Sequence, residues 1–535
     1  MCRGVPHASP RGRAPVVTGR GPSVRGGNVP FAVVPNAKSD SPQTQSANEQ
    51  LSAAQRRGVS ELLRVSPVAD ELARRFEAAG FQLALVGGSV RDALLGRLGN
   101  DLDFTTDARP EQVLRLVRPW ADAVWDVGIA FGTVGCKKQV REEGTEQDFL
   151  LEITTYRAES YDRDSRKPEV AYGDSIEADL ARRDFTVNAM AVALPGKTFI
   201  DPHGGLEDLA RRELRTPGTP EESFSDDPLR MMRAARFAAQ LDFAVVEDVF
   251  RAMREMADRI SIVSAERVRD ELNKLILSPH PRKGLRLLVD SGLAERVLPE
   301  LSALRLERDE HHRHKDVYEH TLTVLEQAMD LEAPAGEPGG GPDLTLRLAA
   351  LLHDIGKPRT RRFEKDGRVS FHHHEVVGAK MTKKRMTALK YSGELVKDVS
   401  RLVELHLRFH GYGTGEWTDS AVRRYVRDAG PVLDRLHKLT RSDCTTRNKR
   451  RANALSRAYD GLEERIARLK EQEELDAIRP DLNGNDIMEV LEVPPGPVVG
   501  AAYQFLLELR LERGPMERED AVEALRQWWA ARERD

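Results

Sequence analysis

Cysteine is nearly absent from this 535-residue chain: Cys2, Cys136 and Cys444 stand far apart. That spacing excludes a disulfide scaffold and a clustered thiolate metal site, and it fits a reducing cytoplasm. No apolar run approaches the roughly 18 residues that a membrane helix needs, so no span is expected. Neither sign of charge prevails, since 82 Lys and Arg against 86 Asp and Glu leave a net −4. Such a balance argues against non-specific coating of nucleic acid but permits local basic patches. Leu and Ile are missing from residues 1–50, where Arg3, Arg11, Arg13, Arg20, Arg25 and Lys38 face only Asp40 and Glu49. With so little to bury, this segment is expected to be a disordered tail, and it lacks the apolar centre of a secretory signal.

What is present is material for several cores. At roughly 150 residues per domain the length suggests three or four domains. Ser66-Pro67 reads as an N-cap and first-turn proline, opening a helix with Val68, Leu72 and Phe76 on one face. Strands are expected at Phe81–Val86, Leu102–Phe104, Thr133–Cys136, Phe149–Thr155 and Ala189–Leu194. From about Phe224 helical periodicity takes over. The fold class is therefore α+β, a mixed-sheet head followed by a mostly helical body. Expected boundaries are a tail over 1–53, a head over 54–216, a helical neck over 217–305, a metal-binding domain over 306–450 and a helical C-terminal part over 451–535.

In the head, Val86-Gly87-Gly88-Ser89-Val90-Arg91-Asp92 reads as strand, glycine turn and helix start. Glycines let backbone approach a ligand, free amides at a helix start favour anions, and Arg91 suits phosphate. Downstream, Asp101-Leu102-Asp103-Phe104 alternates, so two carboxylates share one strand face while Leu102 and Phe104 point to a core. Paired carboxylates repel unless a cation joins them, and hard oxygen ligands with a phosphate substrate favour Mg²⁺. Glu152, on the less apolar face of its strand, is a third acid able to take a proton or complete the metal site; an ordinary exposed glutamate fits equally.

These residues, with Arg182-Arg183-Asp184-Phe185-Thr186-Val187-Asn188-Ala189-Met190, Asp201-Pro202-His203-Gly204-Gly205-Leu206-Glu207-Asp208-Leu209, Asp226–Phe237 and Glu266–Leu272, resemble the class II tRNA nucleotidyltransferases. That group comprises the CCA-adding enzymes and bacterial poly(A) polymerases. The resemblance implies that Gly88 and Arg91 contact a triphosphate and that Asp101 and Asp103 hold Mg²⁺. It further implies that Arg183 and Asp184 face phosphates and ribose, and that Asp227, Arg230, Arg233 and Arg236 form a nucleotide-selecting helix. The implied reaction is attack of a tRNA 3′-hydroxyl on the α-phosphate of CTP or ATP.

The last four residues recur every third position, which reads as a slowly rotating row on one helix. Cytosine and adenine each offer an amino donor beside a ring-nitrogen acceptor, whereas guanine and uracil offer the reverse. A carboxylate only accepts and a guanidinium only donates, so Asp227 and Arg230 could accept C and A and reject G and U. The bland alternative is an intrahelical ion pair of Asp226 or Asp227 with Arg230. The family usually has Glu where Asp226 stands, a loss of one methylene of reach. Arg157–Asp179, polar and holding Pro168 and Gly173, resembles the family's flexible loop for switching from C to A, which favours full CCA addition.

Ten of the fourteen histidines lie between His311 and His410. His353-Asp354 sits inside Leu351-Leu352-His353-Asp354-Ile355, where burying both side chains without a partner would be costly, and a metal is the natural partner. The series resembles HD-domain phosphohydrolases over about His311–Asp443. This implies that His320, His353, Asp354 and Asp443 are ligands, lined by His374 and His406. Imidazole with carboxylate suits Mn²⁺, Ni²⁺ or Fe. Hydrolysis of phosphomonoester or 2′,3′-cyclic ends is the expected activity, and a retained but inactive metal site is the alternative.

RNA contact is expected from Lys380–Arg408 and Arg441–Lys470, each net +5, although either reads equally as a solvated helix face. Leu482–Met488, Pro494–Pro497 and a helix with Trp528 and Trp529 look like the tail of many family members. Two rival functions remain. A poly(A) polymerase shares the head, but the HD series and the lack of a strongly basic tail count against it. An HD phosphohydrolase with an RNA-binding head would not need Asp101 and Asp103.

Overall fold

The computed structural model describes residues 67–532, apart from 98, 127, 143–144, 161–168, 174, 306–315, 338–339, 366–368, 410–416, 446–447 and 474–478. The tail expected over 1–53 and the Ser66 cap lie outside the described residues. The helix after it runs Pro67–Ala78 and buries Val68, Leu72 and Phe76.

Among the described residues up to 200, nine strands build the head: β1 (Leu83–Val86), β2 (Asp101–Thr106), β3 (Ala123–Trp125), β4 (Thr133–Glu142), β5 (Thr145–Thr155), β6 (Arg157–Ser160), β7 (Glu169–Tyr172), β8 (Ala191–Leu194) and β9 (Thr198–Ile200). Seven form one mixed sheet in the order β3-β4-β5-β2-β1-β8-β9, with β2 and β5 parallel and the other pairs antiparallel. Val134, Cys136, Leu102, Phe104, Leu151 and Ile153 are buried on one face. By strand alternation the acids Asp101, Asp103 and Glu152 project from the other. The segment expected to be a flexible loop, Arg157–Asp179, is instead ordered at both ends. Its flanks pair as the hairpin β6–β7, and a helix follows over Ile176–Ala181; the tip, 161–168, lies outside the described residues.

The motif Asp201–Leu209 turns out to be architectural. Asp201 accepts hydrogen bonds from the backbone N–H groups of Gly205 (2.7 Å) and Leu206 (2.9 Å), which starts the helix Gly205–Arg211. Asp208 on that helix accepts from the Thr186 hydroxyl at 2.7 Å, so the helix braces the turn that carries Arg183 and Asp184. Gly205 is required there, because a Cβ would run into the Thr186 carbonyl.

Beyond the head the chain is almost wholly helical, and one continuous core joins head, neck and histidine-rich domain. Leu482, Ile487, Leu506 and Leu525 form a separate small core, with Trp528 and Trp529 packed on it. Among the described residues no helix is long and apolar enough to cross a membrane.

Substituting Gly205→Ala forces the Thr186 turn to shift. We expect a loss of roughly 1–3 kcal/mol, read as a lower denaturation midpoint. An unchanged midpoint would show that the turn yields freely.

Candidate active site and metal centre

Strand β1 is fully buried and ends at Gly87, whose φ of 73° only glycine adopts readily. A Cβ at Gly87 would lie 2.9 Å from Arg183 Nη1 and 3.8 Å from Asp103 Oδ2, so the Arg183 guanidinium lies over the turn and faces the acids. Ser89 ties turn to strand: its hydroxyl donates to the Asp101 carbonyl (3.2 Å) and accepts from the Asp103 N–H (2.9 Å).

The parallel register sets Asp103 opposite Glu152 and Asp101 opposite Leu150, which brings three carboxylates together. Asp103 responds as crowded acids do. Burial first, then the Glu152 charge, push its pKa up to about 6, although Arg183 pulls the other way. A cation bound there must displace a proton once the pH falls below about 6, so its affinity drops with acidification. These acids fit a divalent metal.

Arg91 is 5% exposed rather than free. Its Nε and Nη2 grip Asp92 at 2.9 and 2.8 Å, and its Nη1 donates to Asn188 Oδ1 at 2.6 Å. From Asn188 the network continues. Asn188 Nδ2 donates to Asp184 Oδ1 (2.9 Å), Arg233 Nε donates to Asp184 Oδ2 (2.7 Å), and Arg236 Nε donates to Glu271 Oε2 (2.6 Å). Glu271 Oε1 lies 3.8 Å from Arg233 Nη1 and closes the chain. Burial alone would raise the Asp184 pKa, yet the Arg233 charge and these bonds hold it at about 2. Phe237 sits inside the network with Arg91, Arg233 and Arg236 at 5.2, 5.4 and 3.9 Å from its ring centre. The sequence reading quoted Asn188, Phe237 and Glu271 within motifs without assigning them a part. The signal that could have found them was the run Leu229–Leu241, which carries three arginines and no acid.

The expected row on one helix is corrected. The helix is Leu229–Leu241, while Asp227 closes the preceding helix, Pro220–Asp226. The cause is Pro228, which separates the two. Asp227 instead accepts from Leu229 N–H at 3.1 Å across Pro228, and its other oxygen takes Arg267 Nη2 at 2.7 Å. The Asp227–Arg230 ion pair is therefore not formed. Arg230 is 8% exposed and donates to the Ser223 hydroxyl (2.9 Å) and the Arg182 carbonyl (2.5 Å). Reading a base with this pair requires Arg230 to let go of that carbonyl.

In the body, helix ends converge. His353, His406 and Asp443 follow the last turns of the helices Leu344–Leu352, Gly393–Leu405 and Leu433–Ser442, His374 begins His374–Ala388, and His320 lies in Val317–Met329. Helix ends leave carbonyls without partners. His353 Nδ1 donates to Ala350 O (2.8 Å) and His406 Nδ1 to Val403 O (2.7 Å), while His374 Nδ1 donates to Phe371 O (2.8 Å). A carbonyl can only accept, so each Nδ1 carries a proton and, in the neutral ring, each Nε2 presents a lone pair. Those three Nε2 atoms are buried without a hydrogen-bond partner, the pattern expected of metal ligands. Burial and the neighbouring His353 push the His406 pKa down to about 3, which keeps it neutral.

Asp354 belongs to two ligand groups, one with His320 and His353 and the other with His374 and His406. Its Oδ2 lies 3.5 and 3.2 Å from the first pair and its Oδ1 3.3 and 4.0 Å from the second. Asp443 Oδ1 completes the first group at 2.9 Å from His320 Nε2. His374 and His406, expected to line the site, meet Asp354 in a second group whose atoms lie close enough together to hold an ion. In the basic stretches arginines are largely spent: Arg385 pairs with Glu300, Arg401 with Glu404, Arg408 with Asp428, and Arg441 with Asp460. Lys380, Lys383, Lys384, Lys390 and Lys397 stay exposed.

Residues 83–215 match the poly A polymerase head domain, 242–304 the probable RNA- and SrmB-binding site of polymerase A, and 317–447 the HD domain. The chain is 35% identical over 435 residues to the A-adding tRNA nucleotidyltransferase of Deinococcus radiodurans, covering 80% of this chain and 91% of that protein. With the CCA-adding enzyme of Streptococcus sanguinis identity is 42% over 252 residues, 46% of this chain and 59% of that one. Among solved structures, the Bacillus stearothermophilus CCA-adding enzyme in complex with CTP shares the fold at TM-score 0.61 and 24% identity, over 87% of this chain and 98% of that one. The Thermotoga maritima CCA-adding enzyme complexed with tRNA does so at 0.52 and 17%, over 88% and 98%.

The shared Asp354 carboxylate leads to a count. In an Asp101→Ala, Asp103→Ala background that disables the head acids, elemental analysis after saturation with Mn²⁺ or Ni²⁺ and desalting is expected to find two ions, and adding His374→Ala or His406→Ala to leave one. One ion in that background and after either added change contradicts the second ligand group.

Proposed function

Because the chain belongs to the tRNA nucleotidyltransferase and poly(A) polymerase family, with an HD domain in its body, we propose that it adds C, C and A to the 3′ end of tRNA without a template. The observation that carries this reading is the set Asp101, Asp103 and Glu152 beside the Arg183 guanidinium over Gly87. Asp101 and Asp103 would hold Mg²⁺. When bound, that ion neutralises charge on the reacting oxygens. Arg183, with Arg91 behind it, orients the triphosphate of CTP or ATP. Glu152 accepts the proton of the tRNA 3′-hydroxyl as its oxygen bonds the α-phosphorus and pyrophosphate leaves. Asp184 holds Arg233 in place at the sugar side. Asp227 and Arg230, once Arg230 turns from the Arg182 carbonyl, match the amino donor and ring acceptor of cytosine and adenine.

Transfer RNA reaches the site along the neck and body, where the exposed lysines suit phosphates, and such a role places the protein in the cytoplasm. The tail, head, neck, HD and C-terminal parts divide the labour at 1–53, 54–216, 217–305, 306–450 and 451–535. In the HD domain we infer hydrolysis of phosphorylated or 2′,3′-cyclic RNA ends at a transition-metal site of Mn²⁺, Ni²⁺ or Fe held by His320, His353, Asp354 and Asp443. A second reading, addition of the terminal A alone, is favoured by the similarity to the Deinococcus radiodurans A-adding protein over most of both chains.

Sequencing the products from tRNAs lacking CCA, CA or A, given CTP and ATP singly and together, separates these readings. Complete CCA on every substrate is the expected outcome. Extension only of the end lacking A supports the second reading, and long A tails would make it a polymerase. Asp101→Ala is expected to reduce extension at least about a thousandfold, and His353→Ala to abolish end hydrolysis without touching extension.

A further inference from the structure

The sheet face that bears the acids also carries a large side chain that neither the transfer chemistry nor the core uses. Strand pairing sets Trp125 opposite Gly135, Gly135 opposite Glu152 and Glu152 opposite Asp103, so these four form one row across β3, β4, β5 and β2. Paired residues project to the same face, which puts Trp125 on the acid side, away from the buried core. Gly135 has no side chain, and a Cβ there would run into Nε1 and Cε2 of Trp125. The half-buried indole therefore lies down across Gly135 toward Glu152. The neighbouring row is Ala123, Lys137, Leu150 and Asp101, and Leu150, on this same face, is 43% exposed. The indole and Leu150 thus give this face apolar surface beside the carboxylates, while Lys137 of the second row pairs with Asp148 at 2.7 Å.

We propose that Trp125, laid on Gly135 and flanked by Leu150, is the platform on which the 3′-terminal base of the RNA primer stacks, presenting the 3′-hydroxyl to Glu152 and Asp103. Topology assigns the platform to the primer rather than to the incoming nucleotide. The strand order is β3-β4-β5-β2-β1, with Arg183 over Gly87 at the β1 end and Trp125 at the β3 end. The acids lie between. In-line transfer needs the attacking hydroxyl and the leaving pyrophosphate on opposite sides of the phosphorus, and this layout supplies them. Strands lie about 4.8 Å apart, so Trp125 and Glu152 are roughly 10 Å apart at the backbone, and the indole already covers the first half of that gap. A base stacked on it sets its own ribose over Glu152. Stacking also suits an end whose identity changes at each step, because every base has a π-face.

The proposal rests on the nucleotidyl-transfer reading, and the test separates the two. With tRNA ending in CC and with ATP, Trp125→Leu is expected to raise the KM for tRNA about tenfold, more than it alters the KM for ATP, while Trp125→Phe keeps most of the affinity. Adding that tRNA to wild type should quench indole emission, and the quench should be lost in Trp125→Phe. An unchanged KM for tRNA in a Trp125→Leu protein that melts like wild type overturns the platform, as does a rise confined to the KM for ATP. Should Trp125→Leu fail to fold, the Trp125→Phe emission difference decides alone: an identical quench in both proteins overturns the proposal. If wild type extends no tRNA, the transfer reading has failed instead, and the emission measurement, which needs no turnover, still decides whether RNA stacks there.

Discussion

One buried chain of charge holds the catalytic half of this molecule together. Three guanidiniums, Arg91, Arg233 and Arg236, meet three carboxylates, Asp92, Asp184 and Glu271, with Asn188 as the neutral link and Phe237 under all three cations. The residues come from the glycine-turn helix, the turn after Arg183, the helix Leu229–Leu241 and the neck helix Ala265–Ile276. Where both partners are buried, as in Arg236 and Glu271, removing one would strand the opposite charge, a loss of about 3–5 kcal/mol. The phosphate side and the base side of the site are thereby one rigid unit, with little freedom to drift relative to the acids.

The same economy shapes the HD centre, where histidines end helices. The Nδ1 protons of His353 and His406 satisfy carbonyls that a helix terminus would otherwise leave bare, His374 does the same for the loop carbonyl of Phe371, and their Nε2 atoms converge on Asp354. Fold stability and metal readiness come from the same hydrogen bond. At the opposite end, the sheet pushes Asp103, Glu152 and Asp101 together against their repulsion, which is tolerable only with Arg183 nearby or a cation bound.

Much of this was legible in the residues. Alternation in Asp101-Leu102-Asp103-Phe104 placed two acids on one face, and β2 has them there. The α+β head and helical body followed from the change of period near Phe224. What escaped was whatever depends on partners distant in sequence. Strand β3 is three residues long with little alternation to detect, so Trp125 went unseen. Arg91 and Arg230 read as cations free to face phosphate and base because Asn188, Ser223 and the Arg182 carbonyl become their partners only in the fold. The spacing of Asp227 and Arg230 suggested one helix, but Pro228 divides it. That His374 and His406 share Asp354 with His320 and His353 was invisible to spacing, because the four histidines come from four different helices or their ends.

The central claim is that Asp184 and Arg233 act as parts of a single buried unit. A double-mutant cycle of Asp184→Asn and Arg233→Gln, read as unfolding free energy in denaturant, tests it most directly. The account predicts that each single change is costly, that the double costs little more than either, and that the coupling exceeds about 1 kcal/mol. Costs that add to within about 0.5 kcal/mol would contradict it.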